Sequence, residues 1–362
     1  MKKTKNFIII FIILVVFLIL FILYKNFNYN NLNEFIPNDA KYLVIHSNLL
    51  EKKGGILLIN EDGNTIFNKD VKLQDISSIG YNDNYVVFSG ARANNNILID
   101  KNKNYKTFSF LNEPKYNGVT CVNIYKNNIL GIMNGNLLEN TYKSLLVLQD
   151  KENNILLTEE VDIWASSIII KNDTAYIFGF NNRVKENKKG SKIIAYDLLN
   201  NKIIKEIEDE TYSAYYEPII VKNEIFCIAT KKRDENNYLV NIDLDTLNLI
   251  NENYLDDDID KIWNVEDKIY AIKEDKFVKL NKNLEIQDEY YKLESESEYS
   301  YSYRIDEYLY IYIRNYGENS NKYLGDFIKF NINNNKTEIT KFNKDKNKAM
   351  ENIVFMPTDF FN

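Results

Sequence analysis

Residues 171–208 read KNDTAYIFGFNNRVKENKKGSKIIAYDLLNNKIIKEIE. The stretch opens on a polar Asn-Asp turn and enters an apolar run at Thr174. It then crosses a polar segment and returns through a second apolar run, a tight turn and a final strand. Asn and Asp suit such turns because they tolerate left-handed backbone or bond to it locally. The run TAYIFGF is apolar without alternation, which predicts a strand buried on both faces. The same run recurs along the chain. KYLVIHS begins at Lys41, NYVVFSG at Asn84, NILGIMN at Asn128, EIFCIAT at Glu224, KIYAIKE at Lys268 and YLYIYIR at Tyr308. Successive copies start about 40 to 50 residues apart.

Each copy has the same surroundings. A short apolar strand precedes it, such as SSIGY, VTCVNIY, SSIIIK or EPIIVK. A variable polar loop follows, then a hairpin such as GILLINEDGNTIF or YLVNIDLDTLNLIN. Four strands per repeat, with the second doubly buried, is the pattern of a β-propeller. The predicted fold is therefore all-β, with seven four-stranded blades over residues 33–362. Two stacked β-sandwiches are the alternative, and the regular spacing without a break in composition counts against them. The repeat resembles the broad superfamily of kelch, PQQ-like and YVTN-type bacterial propellers. The resemblance is architectural. The WD dipeptide, the kelch Gly-Gly pair and the Trp docking motifs of quinoprotein dehydrogenases are missing, so it implies no activity.

Closure of such a ring needs one strand from the far end of the chain. NEFIPND (33–39) and NIVFMPTDFF (352–361) look alike, and both read as a first strand with its turn. The C-terminal copy is expected to close blade 1, with the N-terminal copy as a lead-in.

The N-terminus differs in kind. MKKTKN (1–6) is basic, and FIIIFIILVVFLILFILY (7–24) carries no charge, Gly or Pro. As a helix these eighteen residues cover about 27 Å, close to the hydrocarbon thickness of a bilayer. A cleaved secretory signal is the alternative, but its apolar region is usually shorter and ends at small residues. The reading adopted is a cytoplasmic tail (1–6), one transmembrane helix (7–24), a linker (25–32) and the propeller. Lys2, Lys3 and Lys5 precede the span and Lys25 alone follows closely. By the positive-inside bias the propeller is expected on the extracytoplasmic side.

Composition bounds the partners. The apolar and charged fractions, 45% and 27%, are those of an ordinary globular protein. The net charge of −7 becomes −11 once the four lysines up to Lys25 are set aside. An acidic body argues against nucleic-acid binding, which needs a basic footprint. Lysine outnumbers arginine heavily, so single lysines say little and the five arginines say more.

Arg92, Arg183, Arg233 and Arg314 fall in or beside the second-to-third loops, and Arg304 falls in a first strand. A ring of Arg on one face could hold an anionic ligand through bidentate bonds; solvated or locally paired loop charge is the plainer reading. Trp164 and Trp263 lie at inter-blade entries, with Tyr116, Tyr212, Tyr215 and Tyr216 in comparable loops. Trp164, Trp263 and Tyr216 are taken as candidate ligand contacts, against the plainer reading of packing between blades. His46, the only histidine, sits in a predicted buried strand. Cys121 and Cys227 fall in non-adjacent repeats and are expected unpaired. DDDID (256–260) lacks the glycine and ligand spacing of a calcium loop. No metal, cofactor or catalytic residue is assigned, since no G-x-S-x-G, H-E-x-x-H, C-x-x-C or Walker pattern occurs.

The expected function is non-catalytic binding of a protein partner or an anionic cell-envelope polymer, with membrane attachment through 7–24. The stretch FNNRVKENKKGS of blade 4 is among the longest of the loops expected to carry specificity. The alternative is a hydrolase or lyase acting on envelope polysaccharide, which predicts two converging carboxylates with a raised pKa. A structural spacer is a third reading.

Overall fold

The computed structural model describes residues 30–31, 39–135, 142–183, 188–232, 236–254, 259–273, 276–281, 283, 285–292, 297–315, 323–343, 350 and 352–361. These form seven antiparallel sheets, six of four strands and one of five. Each sheet is one blade, and the chain is a seven-bladed β-propeller.

The doubly buried runs are the second strands, as expected. They span Ala40–Ser47, Tyr85–Gly90, Asn128–Gly135, Thr174–Arg183, Glu224–Lys231, Lys268–Lys273 and Tyr308–Asn315. Tyr85–Gly90 is buried at every position. A second strand lies between two strands of its own blade and between the faces of two neighbouring blades, so it keeps no solvent-facing side. Side chains from adjacent blades meet there. Tyr176, Phe178 and Ile193 of blade 4 pack against Tyr212, Ile225, Cys227 and Val240 of blade 5. Each such aliphatic side chain contributes about 1.5–3 kcal/mol of burial. Fourth strands lie outermost and alternate charge with half-exposed aliphatics, as in KIIKEIED (Lys202–Asp209). Charge at an open sheet edge discourages pairing with other chains.

The ring closes with the C-terminal copy. Asn352–Pro357 is the first strand of blade 1 and pairs antiparallel with Ala40–Ser47, from Tyr42 opposite Pro357 to Ser47 opposite Asn352. The N-terminal copy falls mostly on 32–38, outside the described residues. So does the apolar stretch 7–24. Among the described residues no helix is long and apolar enough to cross a membrane. Asn30–Asn31 adds a short fifth strand to blade 2, pairing with Asn104 and Tyr105 on its outer edge.

One stretch read as a loop is ordered ladder. In blade 4 the second strand continues to Arg183 and the third begins at Lys188. Asn181 pairs with Gly190, Asn182 with Lys189 and Arg183 with Lys188. The segment is polar, so it carries no apolar signal, but backbone bonds alone sustain a hairpin ladder. The result is a β-ribbon rising beyond the blade.

Candidate functional site

The first strands line the axis. They span Asn352–Pro357, Ile76–Tyr81, Tyr116–Tyr125, Trp164–Lys171, Tyr212–Val221, Ile259–Val265 and Ser297–Ile305. In six of them the register against the second strand slips. Ser77, Thr120, Ser166, the pair Glu217–Pro218, Asp260 and Ser300 are extra residues with no partner opposite. Blade 1, closed by the C-terminal strand, keeps an unbroken register. A β-bulge raises local twist and interrupts the ladder, and here bulges recur in six of the seven first strands.

The bulges tie the blades together. The Val122 N–H donates to Ser78 Oγ at 3.0 Å. Cys121 Sγ donates to the Ser166 carbonyl at 3.1 Å, and Ser166 Oγ donates to the Tyr215 carbonyl at 2.8 Å. Glu217 and Lys261 form an ion pair between blades 5 and 6. Arg304 Nη1 donates to the Asn264 carbonyl at 3.2 Å between blades 6 and 7. At Gly80 an added Cβ would stand 3.1 Å from the Asn123 Cα, so glycine lets blades 2 and 3 approach closely. Ser78, Cys121, Val122, Ser166, Glu217 and Lys261 among them line an open cavity of about 390 Å³ bordered by the first strands of blades 2 to 6. Sequence reasoning passed over them. The signal was present as a polar residue interrupting five of the seven first strands: SS at 77–78, Thr120, SS at 166–167, EP at 217–218 and Asp260.

The predicted site residues scatter. Arg92 lies in the second-to-third connection of blade 2, half-exposed, and its Nε donates to Asp75 Oδ2 at 3.1 Å. Asp75 Oδ1 in turn accepts from Asn352 Nδ2 at 2.8 Å. Arg314, in the second strand of blade 7, donates from Nη2 to the Met350 carbonyl at 3.1 Å. Arg92 and Arg314 thus flank the closing strand and brace it from blades 2 and 7. Arg183 is described in its backbone only, and Arg233 lies outside the described residues.

The aromatics are placed differently from their expected loops. Trp263 is inside the first strand of blade 6, 5% exposed, with its ring edge-on to Phe277 at 5.9 Å. It is core between blades 6 and 7 because IDKIWNV continues as strand through Val265. Tyr216 is also in a strand, and its hydroxyl donates to Asn237 Oδ1 at 2.7 Å. Tyr116 opens the first strand of blade 3 and donates to Glu160 Oε2 at 2.6 Å. Burial, then this bond, raises its phenol pKa. Tyr212 and Tyr215 both lie in the first strand of blade 5.

Trp164 opens the first strand of blade 4 and keeps part of its surface in solvent. Tyr142 meets it edge-on at 4.8 Å and Phe180 stacks on it at 6.1 Å. Phe180 is the residue from which the blade 4 ribbon rises. The ribbon base is locked by the buried Lys192 ammonium, 3.1 Å from Glu206 and 3.5 Å from Glu208, while Asn181 Nδ2 donates to Glu208 Oε1 at 2.9 Å. In sequence the ribbon and its tip hold Arg183, Lys185, Lys188 and Lys189 against Glu186 alone. The structure therefore joins two candidates, Trp164 and Arg183, on one blade.

Both thiols are free and buried, and burial pushes the Cys121 thiol up to about 12. His46 is buried in the second strand of blade 1, with its ring against Gly55. Among the described residues no three His, Cys, Asp or Glu side chains are grouped to hold a metal ion.

No protein-family model matches the chain, and no curated protein matches it. Solved structures do. A cobalt-substituted apocarotenoid oxygenase from Synechocystis is 9% identical, with 89% of this chain and 94% of that one covered and a TM-score of 0.56. The dihydro-heme d1 dehydrogenase NirN is 9% identical over 92% of this chain and 81% of that one, with a TM-score of 0.51. BamB from Moraxella catarrhalis is 12% identical over 83% and 87%, with a TM-score of 0.46. The likeness is of fold alone. The oxygenase and the dehydrogenase share nearly the whole ring with this chain at an identity too low to carry a substrate across.

Proposed function

We propose that the chain is a membrane-anchored, extracytoplasmic binding propeller whose recognition surface is centred on blade 4. The observation that carries this is the half-buried Trp164, Tyr142 and Phe180 cluster at the foot of a basic β-ribbon. Aromatic anchors beside cations are the composition of binding hot spots. The locked Lys192 base holds the ribbon in place, so less freedom is lost on binding. The ribbon's excess of Arg and Lys on an acidic body favours a partner with an anionic contact surface, either an acidic protein or an envelope polymer. The uncharged stretch 7–24 supports the anchor, and the lysines before it support the outward orientation. The hydrolase reading required converging carboxylates with a raised pKa. Among the described carboxylates with displaced pKa values, Glu160 and Asp173 are displaced downward by hydrogen bonds from lysine and tyrosine.

The test uses the full chain in detergent on immobilised polyuronate, poly(glycerol phosphate) and polyglutamate. Replacing Arg183, Lys188 and Lys189 with Gln should lower the salt needed for elution from whichever polymer is retained. Arg92→Gln, whose side chain braces the closing strand, should leave it unchanged. Equal elution of the ribbon variant and the native chain contradicts the proposal.

A further inference from the structure

The cavity on the axis is built from side chains other than those of the blade 4 surface, though the strand that Trp164 opens also lines it. Its volume of about 390 Å³ falls in the range of small-molecule sites. The Glu217–Lys261 ion pair lines it, with the two side chains 32% and 26% exposed. Glu217 sits at φ 52° just before Pro218, a left-handed backbone that is strained for a non-glycine residue. Most other positive-φ residues sit in hairpin turns; Glu217 instead sits in a bulge, with its carboxylate paired to Lys261.

The hydroxyls around this pair are complementary in their free valences. Ser78 Oγ accepts from the Val122 N–H, which leaves its proton to donate. Ser166 Oγ has given its proton to the Tyr215 carbonyl, which leaves lone pairs to accept. Ser167 Oγ is buried with no hydrogen-bond partner among the described residues, and its residue lines the cavity. A buried hydroxyl left unpaired carries an unrecovered desolvation cost. A ligand that bonds to it would recover this. Thr120, the bulged residue of blade 3, adds another hydroxyl.

We infer that this cavity binds a small uncharged polyhydroxylated ligand, a monosaccharide or cyclitol. Among the described lining residues the only charges are those of the Glu217–Lys261 pair, and they cancel, which favours an uncharged ligand. A carboxylate that accepts and an ammonium that donates, side by side, fit two vicinal hydroxyls through charge-assisted bonds. The serines supply further donors and acceptors. Among the described residues no aromatic ring lines the cavity.

The experiment is calorimetric titration of the full chain in detergent with free hexoses, N-acetylhexosamines and inositol. Acetate, phosphate and glycine serve as anionic and zwitterionic comparison ligands. The proposal expects heat from at least one polyol and none from the comparison ligands. Ser167→Ala should weaken polyol binding about fivefold to tenfold while leaving the unfolding temperature unchanged or slightly raised, because the lost hydroxyl has no partner among the described residues. Lys261→Met should weaken it by tenfold or more and, if it also destabilises the ring, Ser167→Ala still decides. Binding of glycine or phosphate in place of a polyol overturns the proposal. So does the absence of polyol binding at millimolar concentration, and so does a Ser167→Ala variant that binds as the native chain does.

Discussion

Phe355 is the side chain on which ring closure depends most. It lies in the closing strand, fully buried, opposite Val44. Its ring stands 4.7 Å from Phe327, 5.4 Å from Tyr303 and 5.5 Å from Tyr42. Phe327 and Tyr303 belong to blade 7 and Tyr42 to blade 1, so one side chain welds the last blade to the first. Phe355→Ala removes the ring and leaves a cavity between blades that cannot slide together without breaking the register from Tyr42 to Ser47. The cost of such a truncation is about 3–5 kcal/mol. Ile339→Ala, on the outer strand of the same blade 7 and 46% exposed, should cost no more than about 0.5 kcal/mol. Urea unfolding of the full chain in detergent, followed by tyrosine and tryptophan fluorescence, compares the two. Equal midpoints for the two variants would show that the closing strand does not hold the ring, and the architecture argued above would be wrong at its seam.

Two further outcomes follow from the same contacts. Glu160 is held below its ordinary carboxyl value of 4.5 by hydrogen bonds from Lys143 and then Tyr116. Its stabilisation is complete above that value and is lost as pH falls through the lower folded value. The unfolding temperature of Glu160→Gln should therefore fall less steeply in acid than that of the native chain; parallel curves would refute the role of this pair. At Gly63, φ is 78° and an added Cβ would stand 1.5 Å from the Lys341 carbonyl of blade 7. Gly63→Ala should destabilise by about 1–3 kcal/mol, read by the same urea titration, and a neutral result would mean that the blade 1 turn does not press on blade 7.

Legibility in the sequence tracked burial. The run beginning at Asn128, Thr174, Glu224, Lys268 or Tyr308 in the sequence begins a strand at that same residue. A strand enclosed on both faces must be apolar throughout, and the eye finds it without knowing its neighbours. The closing strand was legible because NIVFMP repeats the first-strand pattern after the last hairpin. The axis was not. Ser166 and Glu217 look like the end of a strand, since a bulge places a polar residue where a regular ladder would place an apolar one. Trp263 and Tyr216 were set in loops for the converse reason: acidic and polar neighbours masked strands that continue past them. The blade 4 ribbon escaped notice because its ladder rests on backbone bonds. The partners of Arg92 and Arg314 come from Asp75 and Met350, and no local pattern announces a contact made by tertiary packing.

The central claim is that an anchored propeller faces outward from the membrane. A single reporter thiol tests it, because Cys121 and Cys227 are buried and Cys121 is kept protonated up to about 12. Asp234→Cys, in the second-to-third connection of blade 5, is exposed to a membrane-impermeant maleimide in intact cells. The account predicts labelling before lysis and almost none in the native chain. Labelling that appears only after lysis would place the propeller inside and contradict it.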